Sequence, residues 1–136
     1  MADTIPKEVK LEIVTGWKDE TTWKVALFTS LDTTILTKST YTECAALGTE
    51  VVGTGYTLGG ATVAGRAVGY VDTDDTYIDV TDSSWGPNAS FTAYYAVLYE
   101  TTTNKIRVIK DFGANKPVTN GTFEIQWNSG GILKIS

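Results

Sequence analysis

The chain has 136 residues, of which 42% are hydrophobic and 20% charged; that is enough for one core, too little for two, and too apolar for a disordered segment. A net charge of −5 with no basic stripe argues against nucleic acid as the main partner, because a phosphate backbone repels such a surface. The lone Cys44 rules out an intrachain disulfide, and no apolar run approaches the ~20 residues of a membrane helix.

The opening "IPKEVKLEIVTG" fits two patterns. Val9, Leu11 and Ile13 alternate as in a strand, while Val9–Ile13 and Leu11–Val14 also keep helical spacing. Thr4 before Pro6, Glu8 in the first turn and Gly16 as a stop tip the reading toward a short N-terminal helix. From residue 22 the signals turn β. "TWKVALFTS" puts Trp23, Val25 and Leu27 on one face and Ala26 and Phe28 on the other, so both faces are expected to be covered. "LDTTILTKSTYTECAALGTE" is weakly patterned and reads as a long loop with one helical turn near "TECAAL".

The glycine-rich "GTGYTLGG", residues 53–60, raises the possibility of a phosphate cradle. Ala61, not lysine, comes directly after Gly60, and Leu58 stands where a dinucleotide fingerprint needs its third glycine. The glycines are therefore expected to serve positive φ angles and close backbone approach. "ATVAGRAVGYVD" and "TYIDVTD" read as strands around the polar "DTDD". "SSWGPNAS" reads as a turn, since Gly86 and Pro87 bar continued pairing. "FTAYYAVLYE" is the strongest strand, with apolar residues on both faces as in a central position. "TTNK" then turns the chain into "IRVIKDFG", "NKPVTNG" turns it into "TFEIQWN", and "SGG" leads into "ILKIS". The sum is a mainly β chain: one antiparallel β-sandwich domain, jelly-roll-like, spanning residues 1–136.

Catalytic signals are few. The chain has no histidine, so the commonest general base, triad member and metal ligand is missing. None of the serines sits in a nucleophile elbow, and Cys44 reads as a small buried hydrophobe. The acidic run Asp72, Asp74, Asp75, Asp79 and Asp82 fails the EF-hand test, because Tyr77 and Ser83 occupy the positions that need glycine and glutamate. It reads as a solvated hairpin, with a non-standard calcium site as the alternative. Trp23 and Trp127 are expected in the core. Trp85, in its Gly-Pro turn, is expected to be partly exposed and at a contact.

The order "WKVALFTS", "GTEVVGTGYTLGGATVAGRAVGY", "SSWGPNASFTAYYAVLYE", "IKDFG", "NGTFEIQWNSGGILKI" resembles a family of small tailed-bacteriophage proteins described as virion structural components. "PKEVKLEIVTG" is similar to that family's helix-like N-terminal segment, so the likeness runs from about Lys7 to Ile135. It implies a non-enzymatic protein without cofactors, made in a host cytoplasm and carried in the virion. Its partners would be the major capsid protein or other virion subunits. The expectation is a capsid decoration or cement protein that assembles as a homo-oligomer, with a trimer as the guess. Tyr56, Leu58, Trp85 and Pro87 are the candidate subunit contacts. The rival expectations are a tail adaptor or fibre-base component, and a carbohydrate-binding module that stacks host-surface glycan on exposed aromatics.

Overall fold

β-Branched and aromatic residues crowd the chain from Trp23 onward and favour extended backbone. The computed structural model describes residues 16, 17, 20, 22–65, 67–70, 76–127 and 133–135. In order they form β1 (Trp23–Leu31), a 3₁₀ helix (Thr33–Thr37), α1 (Tyr41–Leu47), β2 (Gly48–Glu50), β3 (Ala61–Val63), β4 (Ala67–Tyr70), β5 (Thr76–Asp79), β6 (Ser83–Glu100), β7 (Ile106–Ile125) and β8 (Leu133–Ile135). Every strand pairing is antiparallel. The chain is thus mainly β, consistent with the small β-sandwich-like class read from the sequence. The expected N-terminal helix lies outside the described residues, apart from Gly16 at its end. No helix among the described residues is long and apolar enough to cross a membrane.

The chain divides into two compact units built from interleaved segments. The larger comprises Thr21–Val63 and Ser83–Ile125 and holds a sheet ordered β2-β1-β6-β7, with β3 also paired to β1. As expected, β6 is interior, flanked by β1 and β7. Trp23, Val25, Ala26, Leu27 and Phe28 of β1 are all fully buried, so both faces of that strand are covered. On one face Ala26, Phe28, Val97 and Tyr99 pack with Ile35 of the 3₁₀ helix and Cys44 of α1. The smaller unit pairs β4 with β5 and β5 with β8. There Ile78, Val80 and Trp127 are buried, and the Trp127 N–H donates to Asp82 Oδ1 at 2.9 Å.

Two expected turns are instead absorbed into long strands. "SSWGPNAS" lies inside β6, where the register steps from Trp85↔Phe123 to Ala89↔Gly121. Two extra residues on β6 form a bulge that houses exposed Pro87, and pairing resumes beyond it. "NKPVTNG" likewise lies inside β7, with Pro117 opposite Thr92 and Asn120 at φ 46°. Proline is tolerated there because β7 ends the sheet order, so its outer groups need no ladder partner among the described strands.

The real hairpin turn follows Glu100. Its side chain is buried, and Oε1 accepts from the Thr102 N–H at 2.8 Å. Oε2 accepts from the Thr103 N–H at 2.7 Å and the Thr103 hydroxyl at 2.6 Å. These bonds, the Thr103 hydroxyl foremost, hold the carboxyl down at about 2, from an ordinary 4.5. A carboxylate with a lowered folded pKa stabilises the protein above its unfolded value and loses that contribution as pH falls toward the folded one. Glu100→Gln is therefore expected to cost on the order of 2 kcal/mol at neutral pH. The gap to wild type should close as pH drops from 4.5 to about 2, read as urea midpoints across that range.

Candidate functional site

The most elaborately built part of the larger unit is the segment that contains the glycine-rich run. It starts from α1, which is short but well capped. Thr40 Oγ1 accepts from the Glu43 N–H at 3.2 Å and donates to Glu43 Oε1 at 2.9 Å, while the Ser39 N–H also donates to that carboxylate at 3.3 Å. This is a Thr-x-x-Glu capping box, legible as "TYTE" in the sequence. Cys44, buried on the helix, has its thiol pushed up to about 11, chiefly by burial. It packs as a small hydrophobe, as expected, and is a poor nucleophile.

From α1 the chain passes through β2 to Glu50, whose carboxylate gathers the loop that follows. Oε1 accepts a short hydrogen bond from the Tyr41 hydroxyl. Oε2 accepts from the Tyr56 hydroxyl at 2.6 Å and the Gly59 N–H at 2.7 Å. The Tyr56 oxygen in turn accepts from the Leu27 N–H at 2.9 Å. Tyr99 closes the circuit by donating to the Gly59 carbonyl at 2.6 Å, and its ring stacks on Tyr41 with centroids 4.3 Å apart. Burial first, then the Glu50 carboxylate, raises the Tyr41, Tyr56 and Tyr99 hydroxyls above the ordinary phenol range. All three stay protonated as donors at any physiological pH.

Close backbone approach explains the glycines. A Cβ on Gly60, at φ +86°, would overlap the Val25 carbonyl and lie 2.7 Å from Ala26 Cα. On Gly53 it would overlap the Ser90 carbonyl and meet Phe91 Cβ at 2.9 Å. Thr54 pairs with Ser90 as an isolated antiparallel bridge, and the Ser90 N–H donates to the Thr54 carbonyl at 2.9 Å. The loop thus lies directly against β1 and β6, as expected of glycines that serve the backbone.

The four candidate contact residues separate into two pairs. Tyr56 is half-buried and packs on Trp85 and Phe91, at centroid distances of 6.4 and 5.9 Å. Trp85 is only 6% exposed, which corrects the expectation of a partly exposed contact. The bulge leaves its ring edge-on to Phe123, at 6.0 Å, inside an aromatic cluster that other strands complete. Leu58, by contrast, is 72% exposed at the loop's tip, and Pro87 is exposed on the bulge. The structure therefore brings Tyr56 and Trp85 together as an inner layer and displays Leu58 and Pro87.

No protein-family model, curated protein or solved structure matches the chain. What its site can do is therefore read from its own chemistry. Glu50 is engaged by three donors and serves as an anchor. Among the described residues no group of three or more His, Cys, Asp or Glu could hold a metal ion. Asp79 Oδ1 accepts from the Val80 N–H and Asp82 Oδ1 from the Trp127 N–H, each at 2.9 Å. Asp72, Asp74 and Asp75 of the calcium alternative lie outside the described residues. Trp23, Trp85 and Trp127 are all buried, so none of these three offers a face for sugar stacking. Sequence reading missed Glu50, Tyr41 and Tyr99; their one shared signal is a hydrogen-bonding side chain close to an apolar strand or helix face.

Proposed function

We propose that the chain is a non-enzymatic structural protein of a tailed-phage virion, a capsid decoration protein that binds the assembled head lattice through its glycine-rich loop. The supporting observation is an apolar side chain, Leu58, displayed on a loop that Glu50 and the tyrosines fix from beneath. A loop held in one shape loses little freedom on association, so more of its contact energy appears as affinity. Exposed Pro87 adds a second rigid apolar contact. Binding the lattice but not its free subunits stabilises the lattice by mass action at every occupied site, and copies are expected to act as a homo-oligomer matched to local symmetry.

Quantitative mass spectrometry of purified virions tests the assignment. Copy numbers near that of the major capsid protein support it. A few copies per particle transfer the chain to a tail adaptor or fibre base, and particles that lack it overturn the virion reading. Leu58→Asp is expected to weaken binding to assembled capsids at least roughly tenfold, the effect of placing a charge in an apolar contact. The urea midpoint should stay unchanged, because the side chain is exposed. Unaltered capsid binding would remove Leu58 from the contact.

A further inference from the structure

A second feature of the larger unit lies away from the glycine-rich loop's tip. Where β1 ends and the 3₁₀ helix begins, the fold leaves an open cavity of about 260 Å³. Leu31, Ile35, Tyr95 and Ile109 supply apolar walls, and Leu36, 80% exposed, stands at the lip. Two carboxylates, Asp32 and Asp111, complete the lining. Register explains the convergence. Asp111 lies opposite Tyr95 and Ile109 opposite Val97, so strand alternation sends Ile109 and Asp111 to the face that the 3₁₀ helix covers.

Both carboxylates are held in place but not used up. Asp32 Oδ1 caps the helix, accepting from the Thr34 N–H at 2.9 Å and the Thr34 hydroxyl at 3.0 Å. Asp111 Oδ1 accepts from the Gly113 N–H at 2.7 Å. In each the second oxygen takes no hydrogen bond from the described residues. The Thr34 bonds also lower the Asp32 pKa, so this group is an anion at neutral pH.

We propose that this cavity binds an arginine or lysine side chain of a partner protein, its aliphatic stem on the apolar walls and its charged head between Asp32 and Asp111. Three observations favour this occupant. The volume falls below the ~300–1,000 Å³ of ordinary small-molecule pockets and suits one long side chain. Apolar walls with two carboxylates in the lining match a residue that buries its stem and keeps its head polar. The chain's net charge of −5 draws a cationic partner toward it. Arginine fits better than lysine, because its planar guanidinium is less strongly hydrated than an ammonium and pairs bidentately with a carboxylate. The inference stands apart from the virion assignment, and its failure would leave the copy-number result untouched.

The test titrates the ¹⁵N-labelled full chain with the peptide acetyl-Leu-Arg-Leu-amide, alongside the same peptide with citrulline, a neutral isostere, in place of arginine. Saturable shifts are expected at the amides of Leu36, Ile109 and Asp111, with the citrulline peptide at least roughly tenfold weaker, the loss expected for a charge-assisted hydrogen bond. The double variant Asp32→Asn, Asp111→Asn should bring the arginine peptide down to the citrulline level. Asparagine still caps a helix, and urea midpoints of variant and wild type verify the fold. Equal affinity for the two peptides, shifts confined to other surfaces, or none at roughly millimolar peptide would each overturn the proposal.

Discussion

Glu50→Ala is expected to destabilise the protein by about 3 kcal/mol, since hydrogen bonds to a charged acceptor contribute ~1.5–3 kcal/mol each and their partners are left without one. The Tyr41 and Tyr56 hydroxyls and the Gly59 N–H would all lose their acceptor together. Residues 51–60 should then become more open to limited proteolysis, because the carboxylate that joins Tyr56 and Gly59 to Tyr41 is gone. Tyr56→Phe isolates one arm: it removes the donor to Glu50 and the acceptor for the Leu27 N–H. A double-mutant cycle between positions 50 and 56 should return a coupling of about 1–2 kcal/mol. Additive effects, or a loss on Glu50→Ala below about 1 kcal/mol, would show that the loop is held by packing alone.

Gly60→Ala is expected to be the most damaging single substitution in the segment. The added methyl would occupy the space of the Val25 carbonyl and crowd Ala26 Cα at 2.7 Å, with φ at +86°. Backbone cannot give way there without breaking β1 from β3, so a loss above about 4 kcal/mol or outright failure to fold is expected. Gly113→Ala provides the comparison. Its φ is +78°, but no atom lies within 4 Å of the added methyl, so only the conformational cost of about 1–2 kcal/mol applies. Urea denaturation of the two variants separates contact from conformation. Equal losses would show that Gly60 is needed only for its dihedral angles.

The sequence made the centre of the larger sheet legible and left its periphery obscure. β1 and β6 were readable because apolar side chains occupy both faces of each, a pattern only an interior strand sustains. The glycine-rich run was readable by elimination, since no lysine or third glycine stood where a phosphate needs one. Trp85 was misjudged because its ring is packed by Tyr56 and Phe123, which reach it only through the glycine-rich loop and the pairing of β6 with β7. Pro87 and Pro117 were read as strand breaks, and local chemistry supports that reading; a bulge and an edge position make both compatible with strand. The Glu50 anchor carried no periodic signal, because residues 41, 50, 56 and 99 are joined by tertiary structure alone. Leu58 was named only as a candidate contact, and the cavity that Asp32 and Asp111 help to line had no signal, because strand register alone brings those segments to one face.

The ladder between β6 and β7 has a consequence for the order in which the chain assembles. Its base pairs Ser83 with Ile125, so zipping that hairpin delivers Trp127 beside Asp82 before β8 has found any partner. The chain to be closed when β8 joins β5 shrinks from roughly fifty residues to about a dozen, an entropic saving of about 1 kcal/mol. Closing the small sheet therefore costs less chain entropy once that hairpin is formed.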